Sequence, residues 1–279
     1  MNALASAESL HSQLGAPDLF VFDCRHDLVH TEKGREAYAA GHIPGAYFLH
    51  LDEDLSGAKN GRNGRHPLPA PETFIARMEA LGLSNASRVV AYDDAGGMYA
   101  ARLWWMLRWI GLESVSVLDG GIQAWTQAGF GLVTATPAAR APGKLSRKQL
   151  EPVADADELL AALGSARLLI VDARAADRFR GENETMDPVG GHIPGAANRP
   201  FRDNLAADGR FKPAQQLRQE WLAVLAGRAP ADVVAQCGSG VTACHNLLAL
   251  EVAGLGGARL YPGSWSEWCS DPSRPVARG

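Results

Sequence analysis

The residues best suited to covalent chemistry are Cys237-Gly238-Ser239-Gly240-Val241-Thr242. The apolar run Val233–Gln236 before them reads as a strand, and helix-like spacing begins near Thr242. Two glycines in four residues let the backbone curl tightly, so that several N–H groups can turn inward. The N-terminus of the following helix adds positive partial charge. A cysteine in such a cradle is expected to lose its proton readily, and the same cradle suits a terminal persulfide anion. The other cysteines, Cys24, Cys244 and Cys269, lack this setting and read as small buried hydrophobes. The four are scattered, with no CxxC and no metal-type pairing with histidine. This pattern predicts no metal and no cofactor, and a reducing, cytoplasmic compartment.

The elements that must position this loop occur twice. Val21-Phe22-Asp23-Cys24-Arg25 returns as Ile170-Val171-Asp172-Ala173-Arg174, and Gly41-His42-Ile43-Pro44-Gly45-Ala46 returns unchanged at Gly191 to Ala196. Val89-Val90-Ala91-Tyr92-Asp93 matches Val233-Val234-Ala235-Gln236-Cys237, and the block from Leu118 to Trp125 matches Leu260 to Trp268. Four blocks recur in one order at an offset of roughly 145 to 150 residues, a duplicated domain rather than a solenoid repeat. Residues 1–135 are predicted to form the first domain and 153–279 the second. Between them, 136–152 are rich in Pro, Ala and basic residues without apolar periodicity, and read as a linker.

Each half alternates short apolar runs with helical stretches. Leu19–Phe22, Arg88–Tyr92 and Val115–Leu118 read as buried strands, with counterparts at Leu168–Val171, Val233–Gln236 and Ala258–Tyr261. Ala100–Ile110 and Val241–Ala253 carry helix-like spacing. The predicted class is α/β, with a mostly parallel sheet flanked by helices in each domain. Cys237 would then lie just beyond the carboxyl end of a strand, where such sheets place reactive groups. Asp93 takes that place in the first half, which has no nucleophile there.

Bulk properties narrow the function classes. The 279 residues suit two domains, and a net charge of -4 gives no electrostatic reason for a nucleic-acid or anionic-membrane partner. No apolar run approaches the roughly 20 residues of a membrane span, and the start of the chain has no basic region followed by an apolar one, so no secretory signal is expected.

Asp-x-Arg after the first strand, Gly-His-Ile-Pro-Gly-Ala in both halves and Cys-Gly-Ser-Gly-Val-Thr-Ala in the second resemble the tandem-domain sulfurtransferases of the rhodanese superfamily. The resemblance covers nearly the whole chain. It implies two rhodanese-like domains, the first catalytically silent and the second using Cys237. Within that family the loop is closest to the 3-mercaptopyruvate branch. The thiosulfate branch usually carries Arg and Lys where this chain has Gly238 and Ser239, and a dianionic donor wants fixed cations near its sulfur. Mercaptopyruvate needs its carboxylate held and a proton delivered as pyruvate leaves. The resemblance assigns that proton relay to Ser239, His66 and Asp52, the last two on the first half, and the donor carboxylate to Arg178. Gly238, Gly240, Val241 and Thr242 would line the substrate through the loop backbone. A second arginine is often found before the Gly-His-Ile-Pro-Gly block, where this chain has Asp187; Arg180 is either its substitute or a salt-bridge residue. The implied acceptor is a thiol, thioredoxin among the candidates, or cyanide.

Other conspicuous residues read as structural. Asp23, Arg25, Asp172 and Arg174 recur in both halves and suggest a scaffold ion pair, while His42 and His192 suggest a held turn. Trp104, Trp105 and Trp109 suit core or a domain interface, and His245 is a further candidate base. A cysteine-dependent phosphatase needs Arg six residues after its cysteine, where this chain has Ala243. A non-catalytic binding module would not be expected to keep Cys237. A thiosulfate sulfurtransferase is the nearest alternative.

Overall fold

The structure is a computed structural model, described here for residues 2–146, 153–165 and 167–279. Two compact units emerge. Of the described residues, the first comprises 2–57, 69–146 and 207–211; the second comprises 58–68, 153–165, 167–206 and 212–279. The segment that carries His66 therefore packs with the second unit, although it precedes the second half in the sequence.

The first unit is built on a parallel sheet of β1 (Leu4–Ala5), β2 (Leu19–Asp23), β3 (Ala46–Phe48), β4 (Arg88–Tyr92) and β5 (Val115–Leu118), in the order β1-β5-β4-β2-β3. The second repeats it with β6 (Leu169–Asp172), β7 (Ala197–Asn198), β8 (Val233–Gln236) and β9 (Arg259–Leu260), in the order β7-β6-β8-β9. A parallel bridge from Val153 to Leu260 stands where β1 stands in the first unit. The expected strand Leu168–Val171 is displaced by one residue, because Asp172 keeps its register opposite Gln236 just as Asp23 does opposite Tyr92.

The central strands β2, β4, β6 and β8 are covered on both faces, which is why they read as unbroken apolar runs rather than alternating ones. Trp125 is buried in the core of the first unit, and Trp265 and Trp268 in that of the second. The duplicated ion pairs are scaffold. Arg25 grips Asp23 and donates to the Gly41 carbonyl at 2.7 Å; Arg174 grips Asp172 and donates to the Gly191 carbonyl at 2.7 Å. Each thereby ties the carboxyl end of a strand to the Gly-His-Ile-Pro-Gly turn. His42 and His192 hold that turn from inside, each through Nδ1 to a backbone carbonyl at 2.8 Å, with the ring stacked on Tyr38 or Phe179. Trp104, Trp105 and Trp109 are buried on the helix Ala100–Trp109.

Residues 136–146, expected as linker, are tied to the first unit. The Arg140 guanidinium lies 4.1 Å from the Phe20 ring centroid and donates to the carbonyls of Pro17 and Leu19. Gly143 donates to the Glu79 carbonyl at 2.8 Å, and Leu145 is buried. Such single anchors leave no periodic signal in a sequence. The rest of the expected linker, 147–152, lies outside the described residues.

Candidate active site

Asp93 and Cys237 follow β4 and β8, whose registers against β2 and β6 are the same, so the two residues occupy equivalent positions. In each unit the backbone carbonyl at that position accepts from the chain beyond the next strand: Asp93 from Ile122 N–H and Cys237 from Trp265 N–H, both at 3.0 Å. The loops differ in what fills the cradle. In the first unit the Asp93 carboxylate accepts four backbone N–H groups, from Ala95, Gly97, Tyr99 and Ala100, at 2.7 to 2.9 Å. The loop thus binds an anion of its own. Burial pushes the Asp93 carboxyl up despite those bonds. Replacing Asp93 with Ala strips four inward N–H groups of their acceptor. Stability is expected to fall by about 3 kcal/mol, since unsatisfied buried donors are costly. A urea midpoint equal to that of the parent protein would contradict this.

In the second unit the cradle receives sulfur. Gly240 N–H donates to Cys237 Sγ at 3.2 Å, and the Cys237 N–H donates to Ser264 Oγ at 3.1 Å. Gly240 has φ +78°, and a Cβ there would stand 2.4 Å from the Pro262 carbonyl oxygen, so the turn requires glycine. Thr242 opens the helix Thr242–Val252, directing its N-terminus at the loop. Cys237 itself is 2% exposed. Ser264 was not singled out in the sequence. It has φ +54° and is fully buried, and its hydroxyl donates to the Tyr261 carbonyl at 2.9 Å while accepting from Cys237. The first half has Gly121 in the equivalent place, which relaxes the same left-handed backbone. The signal was therefore available as a serine facing a glycine between the two copies.

His66 Nδ1 lies 2.7 Å from Ser239 Oγ, and both side chains are buried. The backbone around His66 is fastened by Arg65 N–H donating to Ser266 Oγ at 3.0 Å. Two expected site residues are thus joined, and the histidine lies within the second unit. Asp52 lies in the first unit, where its N–H donates to His50 Nδ1 at 3.2 Å. Its carboxylate is 3.9 Å from Nε2 of His26, a ring whose pKa burial lowers.

Arg178 lies midway along the helix Ala176–Arg180 and its guanidinium is gripped by Glu184 at 2.7 to 3.1 Å. Burial works against the charge on Glu184, but the Arg178 bonds and the Met186 N–H outweigh it and hold the carboxyl below its usual range. Asp187 pairs with Arg65 and lies 3.6 Å from Arg178; burial pushes its carboxyl up against the pull of Arg65. A Cβ on Gly238 would stand 2.9 Å from Arg65 Nη2 and 3.6 Å from Arg178 Nη2, so two guanidinium groups flank the peptide that follows the nucleophile. Arg65, Glu184 and Asp187 carried no sequence signal as a group. Arg180 pairs with exposed Glu182 at 2.6 Å, the salt-bridge alternative. His245 is fully buried, with Nδ1 3.3 Å from Asn204 Nδ2, and Cys244 Sγ donates to the Gly240 carbonyl at 3.3 Å. Cys244 thereby braces the loop, while His245 is held against the turn Phe201–Asn204. Burial drives the Cys24 and Cys269 thiols up, as befits inert thiols in the two cores.

The site is thus a cradled thiol beside a Ser–His pair and two arginines. The description "Rhodanese-like domain" matches residues 6–128 and 155–271. A Pseudomonas aeruginosa protein named a probable 3-mercaptopyruvate sulfurtransferase is 49% identical over 278 residues, 99% of this chain and 98% of its own. Bovine thiosulfate sulfurtransferase is 36% identical over 271 residues, 94% of this chain and 89% of its own. Among solved structures, the 3-mercaptopyruvate sulfurtransferase of Leishmania major superposes with a TM-score of 0.87 at 31% identity, covering 99% of this chain and 76% of its own. A two-copy match, near-complete relatives and a cysteine loop intact in the second copy agree: the chain belongs to the rhodanese-like family and is one of its tandem-domain sulfurtransferases.

Proposed function

We propose that the donor is 3-mercaptopyruvate, that Cys237 carries the sulfur as a persulfide, and that a thiol acceptor, thioredoxin among the candidates, or cyanide removes it. The Cys237 thiolate attacks the donor sulfur. An S–S bond forms, the C–S bond breaks, and its electron pair passes to the departing pyruvate enolate, which takes up one proton. The acceptor then attacks the outer sulfur, the S–S bond breaks, and Cys237 regains its thiolate. The loop N–H groups of Gly238, Gly240, Val241 and Thr242 stabilise the sulfur anion, and Arg178, held flat by Glu184, takes the donor carboxylate.

The observation that carries this reading is the 2.7 Å contact between His66 Nδ1 and Ser239 Oγ beside the nucleophile. It supplies a buried proton relay, which a leaving pyruvate enolate needs and a leaving sulfite does not. Asp52 is retained as the acid that the family resemblance assigns to orienting the histidine. Four free cysteines, all buried, suit a reducing and cytoplasmic setting; no described helix is long and apolar enough to cross a membrane.

Thiosulfate is the second reading, favoured by the two arginines beside Gly238. Those cations are already paired with Glu184 and Asp187, so they offer a dianion little net charge, while Arg65 keeps an Nε–H that a single carboxylate can take. A side-by-side rate comparison tests the choice. 3-Mercaptopyruvate is expected to exceed thiosulfate in kcat/KM by at least tenfold, about 1.4 kcal/mol of transition-state stabilisation. Equal or reversed rates would assign the protein to thiosulfate.

A further inference from the structure

We propose that Arg65 is the second donor-binding arginine of this site, and that Asp187 is the residue that positions it. The inference rests on the reading of the site as one that accepts a carboxylate-bearing sulfur donor.

Three observations meet at this residue. First, its guanidinium lies over the peptide that follows Cys237: the Cβ position of Gly238 is 2.9 Å from Arg65 Nη2, closer than the 3.6 Å to Arg178 Nη2. Any side chain at 238 would enter the space between the two arginines, and a glycine leaves it open. Second, Arg65 is fixed at both ends. Its N–H donates to Ser266 Oγ, and its Nη1 is paired with Asp187, whose side chain is only 3% exposed. Third, the fork is not used up. Arg65 Nε is buried without a hydrogen-bond partner, and the side chain as a whole is 25% exposed. A buried unpaired N–H is costly unless something completes it, and a planar carboxylate matches an arginine edge in two parallel bonds.

Asp187 stands where an arginine could have come from the second domain's own chain. Here the acid occupies that place, its carboxylate bridging Arg65 and Arg178, while the cation arrives from the segment that also carries His66. One short segment thus brings both the proton relay and the second anion-holding group. Arg180 is excluded from this role by its exposed pairing with Glu182.

The test is steady-state kinetics of Arg65→Ala with 3-mercaptopyruvate, together with inhibition by pyruvate, which has the carboxylate and no sulfur to transfer. Donor KM and pyruvate Ki are expected to rise together by tenfold or more, with kcat within about threefold of the parent and acceptor KM unchanged, the pattern of lost ground-state and transition-state binding alike. Arg65→Lys, which restores charge without the fork, should fall between the two. Should Arg65→Ala misfold, Arg65→Gln keeps a donor for Asp187 and carries the same test. Unchanged donor KM and pyruvate Ki, or a loss confined to kcat, would overturn the role of Arg65. If the parent protein fails to use 3-mercaptopyruvate, the donor reading falls by itself, and the pyruvate Ki still decides whether Arg65 holds a carboxylate.

Discussion

Replacing Cys237 with serine is expected to lower sulfur transfer by on the order of 10⁴-fold or more with either donor, the scale on which enzymes lose activity with their nucleophile. A serine keeps the size of the side chain and can keep the Gly240 N–H bond, so the loop should fold as before. The loss therefore isolates the chemistry. Cys24→Ser, Cys244→Ser and Cys269→Ser serve as controls. Cys24 and Cys269 are core thiols whose pKa burial raises, and Cys244 braces the loop through the Gly240 carbonyl. Transfer by the Cys237→Ser protein within tenfold of the parent would remove the nucleophile from the site.

The second large effect belongs to His66. His66→Ala is expected to reduce kcat on 3-mercaptopyruvate by roughly 10²-fold, as is typical of general acid–base groups. Thiosulfate turnover, whose leaving sulfite needs no proton, should fall much less. This split between donors separates a proton-relay role from a packing role, because lost packing would slow both donors alike. His66 is buried, so a stability loss must be checked by thermal unfolding alongside the kinetics. Equal losses on both donors, at unchanged stability, would reduce His66 to a structural neighbour of Ser239.

Much of this arrangement is legible in the chain because it is carried by local pattern or by repetition. Strand, cysteine, glycine turn and helix are contiguous from Val233 to Val252. The Asp–Arg pairs and the His turns are written twice, and both copies fold alike. Asp93 stands at the position equivalent to Cys237, so the first half reads as lacking a nucleophile there. The structure adds that its carboxylate satisfies the cradle that sulfur occupies in the second copy.

What the chain does not disclose is who meets whom at long range. Arg65 and Asp187 are 122 residues apart, so the acid at 187 reads as a lost arginine until its partner is seen. The same segment explains why His66 reads as part of the first half: chain order places it there, whereas the bonds to Ser239, Ser266 and Asp187 place it in the second unit. Ser264 is silent for a different reason. A left-handed φ of 54° at a serine cannot be inferred from the residue type, and only comparison with Gly121 hints at it. Arg140 and Leu145 show the limit of composition, since a Pro- and Ala-rich run reads as linker even where single side chains fasten it.

The most direct measurement is the intact mass of the protein after treatment with 3-mercaptopyruvate and no acceptor, followed by peptide mapping. The expected result is one added sulfur on the peptide that contains Cys237, lost on addition of an acceptor thiol with transfer of that sulfur. No added sulfur, or sulfur on Cys24, Cys244 or Cys269 in place of Cys237, would contradict a persulfide carried in the second unit's cradle.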